Sequence, residues 1–181
     1  LDDHERMVGI AMPSRREIKV GPFVIDATSP TLIIAEIGNN HNGSLEQAKA
    51  LIDEAKLAGA DIAKFQMRQV GALYSNSGNP NDLHEDLGSQ YVLDLLSRFS
   101  LSNEDMFAAF DYCKEVGIMP LCTAWDEDSL ELLEGYGMEA YKVASADLTN
   151  HHLIEKLADT KRPLLLSTGM STEEEIRQTI Q

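Results

Sequence analysis

The chain has 181 residues, with 30 Asp and Glu against 15 Lys and Arg, for a formal net charge of −15. That balance argues against nucleic acid and anionic membranes as main partners, because both select a basic surface. Hydrophobic residues at 43% are too many for a disordered chain. The apolar runs, such as Leu32-Ile33-Ile34-Ala35, are far too short to span a bilayer.

Residues 1–17 are polar and mixed and read as a leader or linker. The segment from Ile18 to Ile25 reads as a short hairpin around Gly21-Pro22. Apolar runs then alternate with amphipathic helical patterns. Strands are expected at 32–36, 61–66, 118–123, 140–144 and 163–168, and helices at 44–58, 89–98, 103–116, 127–135, 151–159 and 172–181. Ser44 before Glu46 and Gln47, Ser102 before Asp105, and Ser171-Thr172 before Glu173, Glu174 and Glu175 mark helix starts. Gly59, Gly117 and Gly137 mark helix ends. Residues 67–88 form a Gly-, Asn-, Ser- and Asp-rich insertion of the length typical of functional loops.

Strands alternating with helices predict a parallel sheet covered on both faces. A doubly wound sheet could be built from five βα units. A (β/α)₈ barrel needs eight, and typically ~250 residues. The chain opens without Met and stops at Gln181 inside an uncapped helical pattern, so the expectation is a portion of a longer protein. Cys113 and Cys122 fit neither a metal spacing nor a CxxC motif and read as reduced, buried thiols of a cytoplasmic protein.

The strand period of two places chemistry on one face. That face carries Glu36 in the first strand, Lys64 and Gln66 in the second, Thr123 in the third, Lys142 in the fourth and Ser167 in the fifth. Each polar residue falls at or near the C-terminal end of its strand. Charges inside buried strands are costly unless paired or bound. Glu36, Lys64 and Lys142 are therefore catalytic candidates, and the two lysines with nearby hydroxyls would cradle a doubly anionic small molecule. The competing reading is a plain internal ion pair of Glu36 with either lysine. Ser145 and Asp147 follow the fourth strand, where they either line the site or cap the next helix, a task Asn150 could do alone. His41, in the Gly38–Gly43 turn, reads as a hydrogen-bonding turn residue, and no His/Cys cluster supplies a metal site. Trp125 reads as packing.

Five segments in order then carry a resemblance. Ala35-Glu36-Ile37-Gly38-Asn39-Asn40-His41-Asn42-Gly43, Ala63-Lys64-Phe65-Gln66, Cys122-Thr123-Ala124-Trp125-Asp126, Tyr141-Lys142-Val143-Ala144-Ser145 and Leu166-Ser167-Thr168-Gly169-Met170-Ser171 resemble the N-acetylneuraminate (sialic acid) synthase family, with its legionaminic and pseudaminic acid synthase relatives. The resemblance runs from about 18 to 181. It implies a TIM barrel, of which this chain holds about five βα units after a short N-terminal hairpin. It implies condensation of phosphoenolpyruvate with an N-acyl amino sugar of the N-acetylmannosamine type.

The resemblance places Lys64, Thr123, Lys142, Ser145 and Ser167 at phosphoenolpyruvate, and Glu36 and Gln66 near the sugar or the attacking water. Asp147 stands where many members have Glu, a shorter reach that would bear on sugar choice. A divalent metal, Mn²⁺ or Mg²⁺, is implied, with its histidine ligands on strands expected outside this chain. A C-terminal antifreeze-like domain and a homodimer are likewise implied for the full-length protein. Two rivals stand beside this reading: a barrel aldolase using Lys142 or Lys64 as a Schiff base, and an inactive barrel piece serving as a binding module. The chain alone is expected to be inactive and to self-associate through open strand edges.

Overall fold

The computed structural model describes residues 17–69 and 96–181. The leader (1–16), most of the 67–88 insertion and most of the helix expected at 89–98 lie outside the described residues; 96–99 are helical. Strands β1 (Ile18–Val20) and β2 (Phe23–Ile25) form an antiparallel hairpin. The main body follows: β3 (Ile34–Gly38), α1 (Leu45–Leu57), β4 (Ile62–Met67), α2 (Asn103–Val116), β5 (Met119–Ala124), α3 (Glu127–Tyr136), β6 (Tyr141–Val143), α4 (His151–Asp159), β7 (Leu164–Leu166) and α5 (Glu173–Thr179).

The helix starts match the sequence signals. The Ser102 hydroxyl accepts from the Asp105 N–H at 3.0 Å, and Thr172 with Glu175 completes a reciprocal capping box. Asn150 caps α4, and Ser145–Asp147 form a separate 3₁₀ turn before it. The strands differ from expectation at their ends. β3 runs two residues further, to Gly38, because a bulge between Glu36 and Gly38 lets it keep pairing with β4. β7 ends at Leu166, although the Ser167 N–H still donates to the Val143 carbonyl at 3.1 Å.

The five strands β3 to β7 are parallel and lie in chain order. An order without reversal sends each right-handed crossover to the same side. The helices accordingly cover one face rather than both. Ile52 of α1, Phe110 of α2, Leu133 of α3 and Leu157 of α4 share one core with the outward strand residues Phe65, Cys122, Tyr141 and Val143. Aromatic rings tie this layer together: Phe65 meets Phe110 edge-on at 5.5 Å, and Phe107 stacks on Tyr136 at 5.2 Å.

The other face is divided. Its lower part is a second apolar core of Val20, Ile62, Met119, Leu121 and Ala140, with Phe23, Ile25, Leu32, Ile34 and Leu165 packed against it. The hairpin thus covers the N-terminal end of the inward face. Its turn is Gly21, at φ +54°, and a Cβ there would lie 2.6 Å from the Met119 sulfur. No other residue fits both that backbone and that contact. The upper part of the same face is polar.

Candidate active site

The polar rungs begin where the register sets Glu36 directly opposite Lys64. Lys64 Nζ donates to both carboxylate oxygens, at 2.9 and 2.7 Å. The lysine side chain is 9% exposed and the glutamate 54%. Enclosing a cation is costly unless a counter-charge meets it. The half-exposed carboxylate supplies that charge.

Gln66 Nε2 donates to Glu36 Oε1 at 3.3 Å, so lysine and amide bracket the carboxylate. Arg68 Nη2 in turn donates to Gln66 Oε1 at 2.7 Å, and its guanidinium lies over the Trp125 ring, 4.7 Å from the centroid. Gly38, at φ +53°, leaves room for this arrangement. A Cβ there would sit 3.0 Å from Glu36 Oε1 and 3.4 Å from Gln66 Nε2.

One rung over, the register runs Gln66, Thr123, Lys142, Leu165. Thr123 is 1% exposed, and its hydroxyl has no partner among the described residues. Such a buried polar atom costs free energy unless something meets it. Lys142 is half-buried and donates to its neighbouring Val143 carbonyl. Burial holds its pKa below the usual lysine value, the nearby Lys64 charge adds to that, and Glu36 opposes it. Glu36 spends both oxygens on Lys64, and among the described residues Lys142 makes no ion pair.

Ser167 lies just past β7, and Ser145 and Asp147 lie in the turn after β6. Asp147 Oδ2 is buried without a partner. Burial raises the pKa of that carboxyl, against a weak hydrogen bond from Asn150 at 3.4 Å.

The structure therefore joins Glu36, Lys64 and Gln66 in one hydrogen-bonded group and sets Thr123 and Lys142 on the adjacent rung. It resolves the sequence alternatives for Glu36 in favour of Lys64 as partner. Ser145, Asp147 and Ser167 lie at the C-terminal ends of β6 and β7, without a direct bond to that group among the described residues.

Two residues of the network escaped the sequence reading: Arg68 and, as more than packing, Trp125. The signal was present. The period-two series 62, 64, 66 and 119, 121, 123 continues to 68 and 125, one rung beyond the strand ends, and the Trp125 N–H still bonds to the Met67 carbonyl at 3.1 Å.

His41 is fully buried against Phe65, ring centroids 6.4 Å apart, and its Nδ1 accepts from the Gly43 N–H at 3.1 Å. Burial lowers its pKa, so it is a neutral turn-shaping residue. Among the described residues no three His, Cys, Asp or Glu side chains converge as metal ligands. Glu36 is committed to Lys64 and His41 Nδ1 to the backbone, while His41 Nε2 and Asp147 Oδ2, which lack partners among the described residues, belong to no such group. This residue set does not fit a resident metal. Both thiols are buried and free, and burial pushes that of Cys113 up to about 12. No helix of the described residues is long and apolar enough to cross a membrane. A hollow of about 920 Å³ lies instead on the helical layer between α2 and α3, lined by Phe107, Glu131, Leu132 and Tyr136 among others. Among the described residues no cation lines it.

Comparison with known proteins gives these inward residues a context. The chain is 34% identical over 152 residues to N,N'-diacetyllegionaminic acid synthase of Legionella pneumophila, covering 82% of this chain and 42% of that one. It is 33% identical over 172 residues to human N-acetylneuraminate-9-phosphate synthase, covering 94% and 47%. The chain spans less than half the length of the curated relatives it matches. Among solved structures, N-acetylneuraminic acid synthetase of Leptospira borgpetersenii in complex with citrate superposes with a TM-score of 0.80 at 28% identity, covering 92% of this chain and 54% of that one. The NeuB family model matches residues 51–181, so the α/β body described above belongs to a member of the NeuB, or sialic acid synthase, family.

Proposed function

We propose that this chain is the phosphoenolpyruvate-binding part of a synthase that condenses phosphoenolpyruvate with an N-acyl amino sugar, giving a nonulosonic acid and phosphate. The observation that carries the reading is the charge arrangement on two adjacent rungs. Among the described residues Lys64 is paired with Glu36, Lys142 has no carboxylate partner, and the buried Thr123 hydroxyl on the neighbouring strand has no partner. An anion with several oxygens would satisfy both the spare cation and the orphan hydroxyl.

In this reading Lys64, Lys142, Thr123, Ser145 and Ser167 hold the phosphate and carboxylate. They place C3 of phosphoenolpyruvate where it attacks the sugar aldehyde carbon. Water adds at C2, and phosphate leaves with cleavage of the C2–O bond. Glu36, bracketed by Lys64 and Gln66, faces the open mouth, where it can accept a proton from that water. Asp147 would meet the sugar. The divalent ion implied by the family takes its ligands outside this chain. Three further βα units closing a barrel between β7 and β3, a homodimer and a cytoplasmic setting belong to the same proposal.

One observation favours a second reading. The lowered pKa of Lys142 is what a Schiff-base nucleophile needs. Two measurements separate the readings. Phosphate release from phosphoenolpyruvate by the whole protein, with a panel of N-acyl amino sugars with and without Mn²⁺, should identify one productive sugar. Borohydride in the presence of substrate should leave Lys142 unmodified; a trapped lysine adduct would replace the synthase reading with the aldolase.

A further inference from the structure

We infer that Arg68 is a positioning residue that sets the orientation of the Glu36 carboxylate through the side chain of Gln66. The inference rests on the proposed reaction only for the kinetic part of its test.

The Gln66 amide has one accepting end and one donating end. Arg68 can only donate, and the Glu36 carboxylate can only accept. With Arg68 Nη2 at 2.7 Å from one end and Glu36 Oε1 at 3.3 Å from the other, a single amide orientation satisfies both. The flipped amide would set N–H against N–H and carbonyl against carboxylate. Arg68 therefore makes the end facing Glu36 a donor.

Arg68 is itself held by the Trp125 ring beneath its guanidinium, and Trp125 is fixed by its backbone bond to Met67. The chain of contacts runs Trp125, Arg68, Gln66, Glu36, Lys64, from the rim of β5 back to the buried lysine of β4. Without Arg68, the Gln66 amide is free to rotate. Glu36 then keeps Lys64 alone, and its Oε1 loses the second of its two donors. A planar guanidinium resting on an aromatic face suits this task better than an ammonium, since its direction is set before the bond forms.

The test uses Arg68→Met, which keeps an apolar stem against Trp125, and Arg68→Lys, which keeps charge and stem. In ¹⁵N-labelled protein the two proton shifts of the Gln66 side-chain amide, assigned by their loss in Gln66→Ala, should lie away from the positions of a free glutamine amide. Arg68→Met should return them towards those positions, and Arg68→Lys should keep most of the displacement. In turnover, Arg68→Met should lower kcat on the order of ten- to a hundredfold, as removal of an orienting partner does. KM for phosphoenolpyruvate should move by less than about twofold, because no substrate contact is removed. Arg68→Lys should recover most of kcat. An unchanged amide signature in Arg68→Met, a raised KM at unchanged kcat, or an equal loss with lysine would each overturn the inference; the last two would mean that the guanidinium touches substrate itself. If the wild-type protein turns over no amino sugar, the proposed reaction fails, while the amide signature still decides the role of Arg68. Should Arg68→Met not fold, the retained signature and activity of Arg68→Lys, or their loss, decide it in the same way.

Discussion

The inward face of the sheet holds two regions built from the same strands. On β5, Met119 and Leu121 belong to the apolar floor, while Thr123, two residues later, belongs to the polar mouth. On β4 the change comes between Ile62 and Lys64. The floor is closed by the hairpin and has nothing to do but stay packed. The mouth carries two lysines, a carboxylate and an orphan hydroxyl, each costly to enclose. The contrast teaches that stability and chemistry are separated by a single step along one strand, so substitutions two residues apart on that strand should have opposite signatures.

The largest effect should come from the floor. Leu121→Ala removes a fully buried side chain from the contact between sheet and hairpin. It should cost about 2–5 kcal/mol in denaturant unfolding, with phosphoenolpyruvate affinity of the folded fraction unchanged. A selective loss of affinity would break the separation.

Lys142→Met should show the reverse. It should weaken phosphoenolpyruvate binding by about tenfold or more in calorimetry, because a charge-assisted contact is lost. The melting temperature should stay level or rise, since burial and Lys64 both disfavour the charge being removed. A marked fall in melting temperature would make Lys142 a structural residue.

Gly38→Ala tests the join between backbone and mouth. It forces a Cβ into a left-handed position and towards the Glu36 carboxylate. The cost should be about 1–2 kcal/mol of stability, accompanied by loss of the Gln66–Glu36 bond in a crystal structure.

The smallest effect is the pH dependence of Lys142. Its folded pKa lies below the ordinary 10.5, so between the two values the unfolded chain binds more protons, and stability should rise with pH in that window. Phosphoenolpyruvate binding should change in the opposite sense. Affinity should fall as pH climbs through the lowered pKa, with a slope no steeper than about one log unit per pH unit for one proton. In Lys142→Met both slopes should vanish.

Most of this was legible from local patterns. Parity alone put Glu36, Lys64, Gln66, Thr123, Lys142 and Ser167 on one side, and caps at Ser102 and Thr172 marked where helices begin. What parity cannot supply is register, because the offset between two strands depends on contacts across the sheet. The choice of Lys64 over Lys142 as partner of Glu36 was therefore open until the strands were paired. The bulge at Ile37 was hidden for the same reason: Ile37 is ordinary in sequence and extra only relative to β4. Arg68 and Trp125 were passed over because the apolar pattern that defines a strand stops before them, although the alternation continues. The destination of the hairpin was also invisible, since its partners lie in distant segments.

That last point bears on how the chain is made. Gly21 and Met119 touch across roughly a hundred residues of sequence. The hairpin leaves the ribosome early, with Val20, Phe23 and Ile25 uncovered, and what it will cover is not synthesised until β5 emerges. At about 5–20 residues per second, those side chains wait for roughly 5–20 s. The seal of the floor is thus translated about a hundred residues ahead of the strand it packs against, which makes residues 18–25 a natural point of contact for holding chaperones during synthesis.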